Sequence, residues 1–80
     1  MAGKTTRRGY TVRTEGATDI LMDRWGDPTF RVDAGHGAEA VKLIERAGYL
    51  NDVRRKYSAA AQVWARIEAL PGFANAAEVA

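Results

Sequence analysis

The sequence predicts an α+β domain in which a three-stranded antiparallel β-meander is covered on one face by two C-terminal helices (β-β-β-α-α). Up to residue 33, apolar and polar residues alternate in short runs separated by turn-forming residues, as they do in hairpin strands. From Ala38 onward the apolar residues recur at intervals of three and four, which is typical of helices. The 80 residues suffice for one small domain with a modest core.

Three runs have the character of strands. Residues 9–15 alternate Tyr10 and Val12 with polar residues, and residues 29–33 alternate around Phe30 and Val32. The middle run, residues 18–25, is apolar on both faces. Turn formers in "EGAT" and "WGDPT" separate the runs, so the connections are short enough to be hairpins.

The middle run determines where an exposed apolar surface is expected. If Ile20 and Met22 point toward the helices, Leu21 and Trp25 point away from them and form an uncovered patch, which usually marks an interface. The expected consequence is a homodimer or a docking site for another protein. The alternative is a bulged strand that sends all four side chains into one core.

The helices are predicted from their apolar stripes and end signals. The first begins near Ala38 and ends at Gly48, which suits the left-handed residue after a helix. The second runs from about residue 52 to residue 70 and ends at "LPG". Its apolar seam consists of Val53, Tyr57, Ala60, Trp64 and Ile67, with Val63 and Leu70 outside it. Residues 1–8 are predicted to be a flexible basic arm, residues 9–72 the domain, and residues 73–80 a frayed tail.

Composition narrows the class of protein. The absence of cysteine excludes disulfides and thiolate metal sites and suits a reducing cytoplasm, and the excess of arginine over lysine suits a GC-rich bacterial or phage genome. No apolar run approaches the roughly 20 residues of a membrane span, and no apolar segment follows the basic start. We therefore expect a cytoplasmic protein with neither a membrane segment nor an export signal.

The residues that catalysis would need do not converge. The only histidine, His36, lies in "DAGHGAEAV", which suits a strand-to-helix corner better than an anion site at a helix N-terminus. No cysteine is present, and the only serine, Ser58, falls inside the second helix with no partner. The aspartates lack the spacing of a metal-binding loop. We expect no enzymatic activity, no cofactor and no metal site.

Charge is distributed unevenly although the net charge is only +2. Residues 1–13 are basic, residues 14–39 are mainly acidic, and residues 54–56 form a basic cluster, so separate patches are expected to select particular partners. We expect a small regulatory protein that binds a larger protein or complex through charged rims and an apolar anchor. The expected contact residues are Asp19, Leu21, Asp23, Trp25, Asp27, Arg54, Arg55 and Lys56.

In size and composition the chain resembles the short inhibitors that phages and mobile elements encode, anti-CRISPR and antirestriction proteins among them, although no motif identifies a family. The alternative hypothesis is nucleic-acid binding through the basic arm and the basic cluster. It would use Lys4, Arg7, Arg8, Arg13, Arg54, Arg55 and Lys56. The strands offer no aromatic platform for stacked bases, and the acidic middle segment would repel a duplex, so this hypothesis ranks second.

Overall fold

A computed structural model describes residues 9–76, which form an antiparallel sheet and two helices. The strands are β1 (Thr11–Glu15), β2 (Thr18–Met22), β3 (Pro28–Asp33) and β4 (Ala74–Asn75), and they lie side by side in this order. The helices α1 (Gly37–Asp52) and α2 (Tyr57–Glu68) connect β3 to β4. The predicted α+β architecture is confirmed, with β4 as an addition. The predicted arm of residues 1–8, with Lys4, Arg7 and Arg8, lies outside the described residues.

Two short hairpins set the register of the sheet. Glu15 pairs with Thr18 across the first turn, where Gly16 has a φ of 63°. In the second hairpin Leu21 pairs with Phe30 but Met22 pairs with Pro28, so β3 carries one extra residue there. This irregularity is a local bulge, and it does not bring the apolar residues of β2 into one core.

The core lies between one face of the sheet and the helices. Leu21 and Val32 contribute from the sheet and are fully or almost fully buried. Helix α1 lies on the sheet, while α2 packs chiefly on α1. The aromatic ring of Phe30 closes one end of this core, with Trp64 edge-on at 5.9 Å and Phe73 stacked at 5.3 Å between ring centroids. The helices supply Ala40, Leu43, Ile44, Ala47, Leu50, Ala60, Val63 and Ile67.

The predicted orientation of β2 is wrong. Leu21 has no exposed surface and faces the helices, whereas Ile20 and Met22 are half-buried on the opposite face. The row of paired residues Val12, Leu21 and Phe30 therefore belongs to the helix-covered face, because side chains alternate along each strand. Leu21 stabilises the core and is not available as a surface anchor.

The predicted helix ends are also wrong. Helix α1 continues through Gly48 to Asp52, and it is Arg55, with a φ of 56°, that adopts the left-handed conformation in the turn. A glycine inside a helix costs about 1 kcal/mol relative to alanine, and the extra turn compensates by burying Leu50. Because α2 begins only at Tyr57, Val53 and Tyr57 are largely exposed, and Val63 takes a place in the core.

The first part of the predicted frayed tail is ordered. Phe73 stacks on Phe30, and residues 74 and 75 pair with Arg31 and Phe30 of β3. Phe73 is the single large side chain of this segment, and its packing against the core holds the segment in place. The domain thus extends past residue 72, and residues 77–80 lie outside the described part of the chain.

Candidate protein-interaction surface

The turn between β2 and β3, residues 23–27, is held by the side chain of Asp23. Its Oδ1 accepts hydrogen bonds from the backbone N–H groups of Trp25 and Asp27, both at 2.9 Å. Two backbone hydrogen bonds close the same turn, from Asp23 N to Asp27 O at 2.9 Å and from Gly26 N to Asp23 O at 3.0 Å. Gly26 has a φ of 86°, which explains a glycine at this position. We call residues 23–27 the hairpin tip.

The hairpin tip presents Trp25 to solvent. With 71% of its surface accessible, Trp25 is the most exposed large hydrophobic side chain among residues 9–76. The guanidinium of Arg24 lies 4.5 Å from the ring centroid, a cation–π contact that orients the indole ring. A hydrogen-bonded turn thus carries a large apolar side chain with one cation against it and Asp27 exposed beside it.

Asp19, in contrast, is buried and internally satisfied. Its Oδ1 accepts a hydrogen bond from the hydroxyl of Thr14 at 2.7 Å, and its Oδ2 accepts bonds from the N–H groups of Gly35 and Gly37, each at 3.0 Å. The Thr14 hydrogen bond is the main reason why the pKa of Asp19 is lowered. Burial raises this pKa, while the two N–H donors and the nearby His36 lower it further. The structure therefore removes Asp19 from the predicted contact surface.

The "DAGHGA" segment is a strand-to-helix corner. The carboxylate of Asp19 already accepts hydrogen bonds from the N–H groups of Gly35 and Gly37, at the position where an anion at the start of α1 would otherwise lie. A Cβ on Gly37 would come within 2.6 Å of Val12 Cγ1 and 2.8 Å of Asp19 Oδ2, so only glycine allows this close approach. His36 Nδ1 lies 3.9 Å from a Glu39 carboxylate oxygen. No group of three or more metal-ligating side chains is found within residues 9–76.

The basic cluster of Arg54, Arg55 and Lys56 lies in the turn between the helices. The sequence pattern placed these three residues in the first turn of α2, but they precede that helix, and Lys56 occupies its N-cap position without a side-chain hydrogen bond. All three are exposed. Arg13 lies apart from them on β1, where it pairs with Glu15 at 2.7 Å.

A groove that the sequence pattern does not indicate lies on the sheet face that points away from the helices. One of its lining residues is Arg31, which the alternation with Phe30 and Val32 identified only as outward-pointing. The half-buried position of Arg31 arises from its neighbours on β2 and β4, and the sequence pattern indicates the pairing with β2 but not the pairing with β4.

Comparison with protein-family models, with curated proteins and with solved structures gives no match for this chain. Neither of the helices in residues 9–76 has the length and hydrophobicity that crossing a bilayer requires.

Proposed function

We propose that this chain is a small, non-catalytic binding protein that acts by occupying the surface of a larger protein or complex, with Trp25 as its apolar anchor. The observation that carries the proposal is the 71% exposed indole on an ordered turn. Buried tryptophan side chains at interfaces often contribute about 2 kcal/mol or more to binding. A partner that covers this side chain would remove its apolar surface from water, which supplies free energy for binding.

The order of the hairpin tip favours this function further. Binding is weakened by the entropy lost when loops and side chains become fixed. Asp23 has already fixed the backbone of this turn through its bonds to residues 25 and 27, and Arg24 restrains the ring. Asp27 and Arg24 then lie at the rim of the contact, where charged groups accelerate association and select the partner.

Size and uneven charge favour one form of this function, the inhibition of a host complex in the manner of the short anti-CRISPR and antirestriction proteins of phages and mobile elements. Such a protein would meet its target in the bacterial cytoplasm. It needs no active site, because covering the functional surface of the target is sufficient.

The test compares the wild-type protein with Trp25→Ala, using Tyr57→Ala as the control because Tyr57 is also exposed, at 59%, and lies on another element. Each immobilised protein is exposed to lysate from a GC-rich bacterium, and bound proteins are quantified by mass spectrometry. We expect the wild type and Tyr57→Ala to retain the same stoichiometric partner, and Trp25→Ala to lose it by at least about tenfold. Equal retention by all three proteins would refute Trp25 as the anchor.

Nucleic-acid binding is the second candidate function, and the basic cluster favours it. Arg55 has a left-handed backbone conformation, which glycine would adopt with less strain. An arginine stands there nevertheless, so the cation is present despite the local backbone preference for glycine. Fluorescence anisotropy with a mixed-sequence duplex at several salt concentrations tests this candidate. Tight binding that falls steeply with salt, is abolished by reversing residues 54–56 to glutamate and is unaffected by Trp25→Ala would establish it in place of the first.

A further inference from the structure

A groove crosses the sheet face that points away from the helices. It has a volume of about 270 Å³, enough for one or two side chains. Its walls are mainly apolar, and its apolar lining residues are Ile20, Pro28 and Ala76. The remaining lining residues are Glu15, Thr18 and Arg31.

Arg31 lies in the middle row of this face. The strand register places Ile20 on one side of it and Ala74 on the other, so both of its cross-strand neighbours are apolar. Its Nε atom is buried and has no hydrogen-bond partner. A buried guanidinium N–H without an acceptor is unfavourable, and a shift of the half-buried Arg31 side chain that lets an incoming oxygen reach Nε would relieve that cost.

The groove does not supply that oxygen from its own carboxylate. Glu15 is already held by Arg13 at 2.7 Å. A ligand that brings a carboxylate to Arg31 would form charge-assisted hydrogen bonds, and the planar guanidinium fork suits a carboxylate well.

We propose that this groove is a second binding site, which takes an acidic side chain flanked by aliphatic residues from a protein partner. The aliphatic part packs on Ile20 and Pro28, and the carboxylate pairs with Arg31. The mainly apolar lining favours a side chain with an aliphatic part over a nucleic-acid backbone, because a sugar-phosphate chain has little apolar surface to place against Ile20 and Pro28. This second site is inferred from the groove and from Arg31, and it is independent of the proposed Trp25 anchor.

The probe is the capped tripeptide acetyl-Val-Glu-Val-amide, and its matched control is acetyl-Val-Gln-Val-amide. Both are titrated into the full chain while NMR follows the Arg31 Nε–H signal and the Ile20 methyl signals. We expect the glutamate peptide to shift both sets of signals with an affinity near the millimolar range, as is typical of a small fragment. The glutamine peptide should bind at least about tenfold more weakly, because it lacks the charge that pairs with the guanidinium.

Two variants test the role of the guanidinium. Arg31→Met keeps an unbranched stem in the groove and should abolish the glutamate-dependent shift of the Ile20 methyl signals. Its unfolding midpoint should match or exceed that of the wild type, because the unsatisfied N–H is gone. Arg31→Lys keeps the charge without Nε and should weaken binding by several-fold, which covers the case in which the methionine variant fails to fold. Arg46→Met, an exposed cation on α1, should bind like the wild type.

Several outcomes would overturn the proposal. Equal shifts by the two peptides would show that the carboxylate is not recognised, and undiminished binding by Arg31→Lys would show that Nε takes no part. Tighter binding of a short DNA duplex at the same signals would assign the groove to phosphate. Binding of the peptide only after removal of residues 77–80 would show that the occupant is the chain's own terminus.

Discussion

Replacing Leu21 with alanine tests which face of β2 packs against the helices. Leu21 has no exposed surface, so its truncation leaves a cavity that the surrounding core fills only in part. Such changes cost about 3–5 kcal/mol. An 80-residue domain has a free energy of unfolding of about 4–12 kcal/mol, so Leu21→Ala should remove a large share of it.

Ile20→Ala is the matched control, because it removes an aliphatic side chain from the adjacent position on the opposite face. Ile20 is only half-buried and lines an open groove, so we expect a loss of about 1–2 kcal/mol. Urea unfolding followed by circular dichroism measures both values, with a slope of roughly 1 kcal/mol/M for a chain of this size. A loss for Ile20→Ala that equals or exceeds the loss for Leu21→Ala would refute the described packing of β2.

Two further predictions concern the corner between the sheet and α1. The pKa of Asp19 is lowered from its ordinary value of 3.8, so its ionised form contributes stability in full above that pH, and the contribution is lost as the pH falls through the lowered pKa. Urea midpoints from pH 7 to pH 3 should therefore fall more steeply at the acid end for the wild type than for Asp19→Asn, and parallel curves would contradict this role. Gly37→Ala should cost about 1–3 kcal/mol in the free energy of unfolding, because its Cβ would collide with Val12 and Asp19. The control Ala38→Gly, at an exposed position of the same helix, should cost at most about 1 kcal/mol, and an equal effect of both would argue against the collision.

Local patterns were sufficient to predict the strands, the hairpins and the existence of both helices. Alternation around Phe30 and Val32 reports a strand whose two faces differ in environment, and this signal needs no knowledge of the rest of the fold. The orientation of β2 could not be predicted in the same way. Residues 20–22 are all apolar, so the sequence does not distinguish the two faces of β2. Asp19 lies on the buried face because its carboxylate accepts hydrogen bonds from the N–H groups of Gly35 and Gly37, which are 16 and 18 residues further along the chain.

The helix ends and the candidate sites also include some features that local sequence predicts and others that depend on tertiary contacts. Gly48 is the usual residue for a helix end, but burial of Leu50 in the tertiary structure favoured one more turn, and Arg55 took the left-handed conformation instead. The exposure of Trp25 was predicted from an orientation of β2 that is wrong, and Trp25 is exposed because it lies in the turn after β2 and not in the strand. The environment of Arg31 could not be predicted, since its buried Nε exists only once β2, β3 and β4 have assembled.

The hydrogen bonds of Asp19 also bear on the order in which the chain folds. The side chain of His36 provides no cap for α1, and the N–H of Gly37 is satisfied by a carboxylate from β2 instead. A peptide that contains only residues 37–52 lacks this anion at its N-terminus, so it should be less helical in isolation than the same segment within the domain. The first turn of α1 is therefore expected to form together with the β1–β2 hairpin, because that hairpin holds Asp19, the acceptor for the N–H of Gly37. Mutations at this corner should then slow refolding more than they accelerate unfolding.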